Sequence, residues 1–133
     1  MLINGVKISN SKIFKSEKGN LYKYLDKKNI THSKFGETYF VEILKNKKKN
    51  WIKHKKNFCH LAAILGQVQI ILVDERAKSK TIYKKNKFLL SKNNNKLLII
   101  PPGVKFKISS KQKLSLMVNT INYPHRDSEV EKA

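Results

Sequence analysis

Apolar residues along the chain gather in short stretches that turn-forming residues separate. These stretches cover residues 38–44, 59–65, 68–73, 82–90, 97–100, 105–108 and 114–118. Within 68–73, Val68, Ile70 and Leu72 fall on one face, which is the two-residue period of a strand. Gly66 and Gln67, just before them, predict a tight hairpin turn. No window of a dozen residues shows a 3.6-residue period, so the pattern predicts strands and little helix.

Short strands at close spacing are typical of sandwiches and barrels. The later strands are separated by the turn-rich residues 91–95 and by Pro101, Pro102 and Gly103. A chain of 133 residues is long enough for one core but short for two. We therefore expect a single all-β domain over residues 1–133, in which the polar segment 124–133 forms an extended or frayed tail.

The formal net charge of +20 ordinarily indicates polyanionic partners. Only Arg76 and Arg126 among the 29 basic residues are arginine, whereas recognition of bases and phosphates favours the guanidinium fork. Stacking on nucleic acid would also need an exposed Trp51, the only tryptophan. We interpret most of the lysines as solvated surface and do not expect a nucleic-acid partner.

The N-terminus, the longest apolar run and the single cysteine indicate where in the cell the protein is expected. The N-terminus lacks a basic segment followed by an apolar core, so it predicts no export signal. The apolar run from Ile70 to Val73 is far shorter than the roughly 18 residues of a membrane span. Cys59 alone can form neither an internal disulfide nor a cysteine-based metal cage. We expect a cytoplasmic protein with no membrane partner.

Several motifs lie at spacings that belong to one known family. Residues 35–39 read Phe-Gly-Glu-Thr-Tyr, 51–56 read Trp-Ile-Lys-His-Lys-Lys, and 100–104 read Ile-Pro-Pro-Gly-Val. Residues 72–76 read Leu-Val-Asp-Glu-Arg, and Ser79 and Thr81 follow them. Over nearly its whole length the chain resembles the RmlC-like cupins, which include dTDP-4-dehydrorhamnose 3,5-epimerase and the short dTDP-sugar 3,4-ketoisomerases.

The resemblance implies a cupin-type double-stranded β-helix, a jelly-roll barrel that is usually a homodimer. It also implies a nucleotide sugar, such as a dTDP-4-keto-6-deoxyhexose, in the barrel mouth, and a place in surface polysaccharide or lipopolysaccharide biosynthesis. The family's reaction removes a proton next to a keto group and returns it to the other face or to the neighbouring carbon. It uses no cofactor, but it needs a base and a polar group for the enolate oxygen.

This chain departs from the family at the positions of that chemistry. Ile52 occupies the place of the first barrel histidine and Phe106 that of the second. The lysine of the longer epimerases falls on Cys59, and their tyrosine acid falls near Val118. A hydrocarbon side chain cannot accept a proton, so the base must come from another residue if the protein is an enzyme.

The remaining polar residues supply the candidates. His54 lies on the strand face of Ile52 and is the predicted base, with Tyr39 as its catalytic partner; alternatively, His54 is a leftover polar residue bonded to Tyr39 or water. Substrate contacts are assigned to four residues: Lys49, Arg76, Cys59 and Asn119. Lys49 and Arg76 would contact phosphate, although Arg76 could instead tie its loop to Asp74.

The metal-ligand positions and His60 remain to be interpreted. The four metal-ligand positions of metal-binding cupins hold Ile52, His54, Cys59 and Phe106, which is too few ligands, so we predict no metal. His60 is out of phase with Cys59 and is expected at the surface or an interface. Two functions stay open: a sugar-nucleotide isomerase or epimerase, and a degenerate cupin that binds a nucleotide sugar or a partner enzyme without turnover.

Overall fold

Twelve strands make up the ordered framework in the computed structural model, which describes residues 1–47 and 49–132. They are β1 (Lys7–Asn10), β2 (Ile13–Phe14), β3 (Leu21–Tyr22), β4 (Glu37–Leu44), β5 (Ile52–His54), β6 (Cys59–Leu65), β7 (Gln67–Asp74), β8 (Lys85–Ser91), β9 (Lys96–Ile100), β10 (Val104–Ser109), β11 (Leu114–Ile121) and β12 (Val130–Lys132). Short 3₁₀ turns span Thr31–Ser33 and Asp127–Glu129. The described residues contain no α-helix, so the all-β prediction is confirmed.

The strands form two five-stranded antiparallel sheets. The first sheet has the order β1, β9, β6, β11, β4, and the second has β12, β5, β10, β7, β8. The short strands β2 and β3 pair with each other outside both sheets. Strand alternation turns one face of each sheet inward, so that Val104, Phe106 and Ile108 of β10 are buried while Lys105 and Lys107 point outward.

The core lies between the two sheets. Its members share inward-facing positions on the central strands and are almost fully buried: Ile43, Leu61, Ile70, Leu72, Leu98, Ile100, Phe106, Met117 and Ile121. Ile52, Tyr39 and Val41 pack against this cluster from the rim. This arrangement is the predicted jelly-roll barrel.

The turn at Gly66 is tight, but the predicted hairpin is wrong. Gly66 has φ +72 and a Cβ there would lie 2.4 Å from Ser115 Oγ, so both conformation and space favour glycine. However, β6 belongs to the first sheet and β7 to the second, so the turn is a corner between the sheets. Residues 91–95 and 101–103 likewise carry the chain across from one sheet to the other.

Two predicted boundaries also change. The strand expected over residues 82–90 begins only at Lys85, because Tyr83 takes φ 68 and its amide donates to the Asp74 carbonyl. The C-terminal segment is extended, but it is paired and not frayed: β12 runs antiparallel to β5. Ala133 lies outside the described residues. None of the described helical segments is long and apolar enough to cross a membrane.

Candidate active site

Four of the predicted site residues meet between the sheets. Tyr39, Cys59 and Asn119 lie on neighbouring strands of the first sheet, and His54 closes β5 of the second. Asn119 Nδ2 donates a hydrogen bond of 2.9 Å to the Tyr39 hydroxyl, and Asn119 Oδ1 accepts one of 3.1 Å from the His60 amide. Asn119 is therefore held in one orientation, which fixes the position of the Tyr39 hydroxyl.

Glu129 completes this cluster and was missed by the sequence analysis. His54, only 4% exposed, places Nδ1 at 2.7 Å from Glu129 Oε1. Asn57 Nδ2 donates to the same oxygen at 2.6 Å, and the Lys55 amide donates to Oε2 at 2.8 Å. The charge of Glu129 also contributes to raising the pKa of Tyr39 and of Cys59.

The state of Glu129 determines the tautomer of His54. Burial alone would raise the pKa of Glu129, but the hydrogen bonds from His54, Lys55 and Asn57 outweigh it and lower the pKa. An ionised carboxylate can only accept, so Nδ1 of His54 carries a proton and donates it to Glu129. Nε2 is then the nitrogen that can exchange a proton with a ligand.

Tyr39 and Cys59 both remain protonated at neutral pH. Burial, together with neighbouring Cys59, raises the pKa of Tyr39 to about 12. Burial raises the pKa of the Cys59 thiol to about 12 as well, against a small opposing effect of Asn119. Tyr39 is therefore a hydrogen-bond and proton donor, whereas Cys59 is not activated as a nucleophile.

The two hydrophobic replacements face the interior, as strand alternation predicts. Phe106 pairs with Ile52 in the register of β10 and β5, and both contribute to the core cluster. The Phe106 ring lies parallel to the His54 ring, with an interplanar angle of 6° and 6.2 Å between centroids. His54 therefore has an apolar wall on one side and Glu129 at its Nδ1.

Arg76 and Lys49 are not brought together. Arg76 Nε and Nη2 donate to the two Asp74 oxygens at 2.9 and 3.0 Å, and Nη2 also donates to the Asn4 carbonyl at 2.6 Å. These bonds, with those from Ser79 and Thr81, lower the pKa of Asp74. The Lys49 amide donates to the Ile108 carbonyl near the C-terminal end of β10. Asp74, which holds Arg76, pairs with Val104 at the N-terminal end of the same strand. Arg76 thus ties its loop to Asp74, which was the alternative interpretation of this residue.

His60 is not at the surface, contrary to the prediction. It does face away from Cys59, but it is fully buried, because residues 24–34 cover it. Nδ1 donates to the Thr120 carbonyl at 2.7 Å, and Nε2 accepts from the Thr31 amide at 3.1 Å. Two more bonds hold the covering segment in place. The Tyr24 hydroxyl donates to the His60 carbonyl, and Asn122 Nδ2 donates to the Thr31 carbonyl.

In the part of the chain that the structure describes, no three His, Cys, Asp or Glu side chains are grouped as metal ligands. His54 and Cys59 are the available donors at the cupin metal positions, with Glu129 engaged by His54.

Comparison with known proteins places this chain in a family. No protein-family model matches the chain, and no curated protein sequence matches it. Among solved structures, the dTDP sugar isomerase of Desulfovibrio desulfuricans G20 is 30% identical, with a TM-score of 0.92 over 98% of this chain and 85% of that one.

Two more distant structures share the fold. The dTDP-6-deoxy-D-glucose-3,5-epimerase RmlC of Legionella pneumophila, crystallised with dTDP-4-keto-L-rhamnose, is 19% identical, with a TM-score of 0.89 over 99% of this chain and 74% of that one. The 3'-monoepimerase ChmJ of Streptomyces bikiniensis, in complex with dTDP-quinovose, is 10% identical, with a TM-score of 0.91 over 100% and 71%. This chain has the same barrel, and it is 30% identical to the Desulfovibrio isomerase over 98% of its length. It therefore belongs to the RmlC-like cupins, the family of dTDP-sugar isomerases and epimerases.

Proposed function

We propose that the protein isomerises or epimerises a dTDP-4-keto-6-deoxyhexose by proton transfer at a carbon next to the keto group. The observation that supports this most is the buried pair of His54 and Glu129, with 2.7 Å between Nδ1 and Oε1. A histidine whose Nδ1–H is held by a carboxylate presents Nε2 as a base and is stabilised when it becomes an imidazolium. Ile52 occupies the place of the family's first barrel histidine, so His54, two residues further along the same strand, takes the role.

In this mechanism His54 Nε2 removes the proton from the carbon, and the electron pair moves onto the keto oxygen to form an enolate. Glu129 stabilises the positive imidazolium. Tyr39, which is protonated at neutral pH, donates a hydrogen bond to the enolate oxygen or returns a proton from the other side. Return of the proton to the other face of the same carbon gives the epimer. For the isomer, the hydroxyl on that carbon gives its proton to the enolate oxygen and becomes the new keto group, and the former keto carbon takes the proton from the imidazolium.

A cleft lies beside the free edge of β4, on the outer side of the first sheet. This cleft has a volume of about 540 Å³ and is lined by Phe40, Val41, Glu42, Leu44, Lys47 and Lys49. Lys47 and Lys49 offer point charges for phosphate without a bidentate geometry. We keep Lys49 as the phosphate contact; the bonds of Arg76 to Asp74 support a structural role for Arg76 instead. Cys59 and Asn119 remain proposed wall contacts for the sugar.

The second candidate function is binding without turnover. It is favoured by Ile52 and Phe106, which occupy the places of the two expected histidines and pack into the core. Such a protein would retain the barrel and bind a nucleotide sugar or a partner enzyme. The homodimer, the cytoplasmic location and the role in surface polysaccharide synthesis stay predictions under either function.

Deuterium uptake separates the two functions. The protein is incubated with a dTDP-4-keto-6-deoxyhexose in deuterated water, and exchange at C3 and C5 is followed by NMR. An enzyme incorporates deuterium, His54→Gln abolishes the uptake, and the exposed His125→Gln leaves it unchanged. Calorimetry with dTDP shows whether His54→Gln still folds and binds. Saturable binding with no uptake in the unmodified protein would establish the binding function instead.

A further inference from the structure

The outer face of the second sheet carries an ordered set of lysines. Antiparallel register aligns Lys105 with Val73 and Lys85, and Lys107 with Ile71 and Lys87. Lys53, on β5 beside β10, extends the first row, and Trp51 lies under the ammonium groups of Lys105 and Lys107, at 5.0 and 5.7 Å from its ring centroid. We call these residues the lysine face: Lys53, Lys85, Lys87, Lys105 and Lys107, with Trp51.

Few carboxylates neutralise this surface. Glu131 pairs with Lys53 at 3.2 Å and with Lys55 at 3.7 Å, and Glu75 pairs with Lys105 at 3.0 Å. Lys85, Lys87 and Lys107 have no ion-pair partner among residues 1–47 and 49–132. Since strands are about 4.8 Å apart and alternate residues about 6.7 Å apart, the lysines form a grid of like charges on one flat surface.

The lysines are not spread evenly over the barrel. In the first sheet, the strand lysines are Lys7 of β1 and Lys96 of β9, whereas the adjacent strands β4, β6 and β11 contain none. Their outer face is instead apolar, with Phe40, Leu44 and Leu114 exposed. If the lysines reflected only the amino-acid composition, they would be expected on the outer faces of both sheets alike. The concentration on one wall therefore gives the molecule one strongly cationic face.

The chemistry of this face fits a lipid surface better than a nucleic acid. Lysine is a point charge without a fork for base edges, and the Trp51 ring is already covered by two ammonium groups, so it offers no free platform for bases. Leu89, 48% exposed, adds an apolar side chain on the outer side of β8. Lysines around a tryptophan and an exposed aliphatic residue are the composition that adsorbs to anionic headgroups.

We propose that the lysine face docks the protein on bilayers that contain anionic phospholipids. This contact goes beyond the proposed reaction and does not depend on it. It also differs from the expectation of no membrane partner, which considered only segments that span a bilayer. Docking needs no spanning segment, because each lysine near the surface contributes independently to electrostatic adsorption.

Vesicle binding provides the test. The full chain is mixed with phosphatidylcholine vesicles, with or without about one third phosphatidylglycerol, and the bound fraction is measured by sedimentation. Binding is expected only with phosphatidylglycerol and should weaken as the ionic strength rises. Trp51, the single tryptophan, reports the bound face directly, because brominated lipids quench only a nearby indole. We expect quenching in anionic vesicles.

Two variants of equal net charge locate the contact. Lys85→Gln, Lys87→Gln and Lys107→Gln together should lower the partition onto anionic vesicles roughly 100-fold. The matched variant, with Lys15, Lys18 and Lys111 each replaced by glutamine, changes exposed lysines elsewhere and should bind nearly as the unmodified protein does. Equal losses in both variants would show that total charge, not the face, is responsible.

Three other results would also overturn the proposal. They are equal binding to neutral vesicles, bound protein whose Trp51 is not quenched, and tight binding of single-stranded oligonucleotides without vesicle binding. The last would assign the lysine face to nucleic acid. Circular dichroism of both variants confirms that the comparison is between folded proteins.

Discussion

Glu129 decides which nitrogen of His54 is available for chemistry. It lies in the 3₁₀ turn before β12, and pairing of β12 with β5 brings it to the imidazole. Asn57 and the Lys55 amide hold its two oxygens, so the carboxylate cannot rotate away. The geometry of the base therefore depends on a residue 75 positions away in the sequence.

Replacing this carboxylate tests the dyad. Glu129→Gln should lower the rate of deuterium exchange roughly 100-fold, because the neutral amide neither fixes the tautomer nor stabilises an imidazolium. KM should change little, since Glu129 contacts His54 and not the substrate in our mechanism. Glu131→Gln, on the neighbouring outward position and paired with Lys53, is the control and should keep full exchange. A Glu129→Gln enzyme of normal rate would show that His54 needs no partner.

Sequence reasoning identified the residues on the inner face but not their partners. Ile52, His54 and Phe106 were placed correctly because strand alternation and spacing are local properties. Glu129 carried no comparable signal, since it lies in a polar segment whose pairing with β5 is a long-range contact. Arg76 had two possible interpretations, because its bidentate contact with Asp74 is a property of the folded loop and leaves no signal in the sequence.

At the scale of elements, the segment of residues 24–34 is attached to the first sheet through Tyr24, Asn122 and one histidine, His60. His60 Nδ1 donates to a carbonyl, so Nε2 must be unprotonated to accept from the Thr31 amide. Burial lowers the pKa of His60 from its ordinary 6.5, against the opposing bond to Thr120. Protonation of Nε2 would break the bond from the Thr31 amide and leave only the Thr31 hydroxyl, 3.0 Å away, as a partner.

This arrangement predicts that the segment loosens in acid. The unfolded chain binds a proton to His60 at higher pH than the folded chain, so the stabilisation is complete above about 6.5 and is lost as the pH falls below it. Hydrogen exchange, corrected for intrinsic rates, should show the Thr31 amide losing roughly tenfold protection between pH 7.5 and 5.5. Amides of β11 serve as the internal control and should stay protected. Unchanged protection of Thr31 would contradict the assignment.

The strands themselves were largely predictable, whereas their connections were not. Residues 67–74 and 104–109 show their burial alternation in the sequence. The turn at Gly66 looked like a hairpin because a tight turn between apolar stretches is the same locally whether or not the strands pair. In a jelly roll the chain crosses between sheets at such turns, and that choice is made by the global packing. Strands of two residues, such as β2 and β3, are too short to show a period.

The molecule as a whole has three chemically different surfaces. The inner faces of the sheets hold the polar cluster around His54, the outer face of the second sheet is cationic, and the outer face of the first sheet is apolar. Exposed apolar side chains on that last face are Phe40, Leu44, Ile64, Leu65 and Leu114. An exposed apolar patch with no lysine on its strands is typical of a protein contact surface.

We expect this apolar face to form the predicted homodimer. Phe40, 70% exposed, stands on β4, an edge strand of the first sheet, so one substitution there perturbs the patch without touching the core. Sedimentation equilibrium should find a dimer for the unmodified chain and a monomer for Phe40→Glu, because two copies of the introduced charge would be buried face to face. Leu89→Glu makes the same change on the opposite wall and should leave the dimer intact. A monomer in the unmodified protein would refute the dimer, and dissociation by both substitutions would show that the effect is not specific to this face.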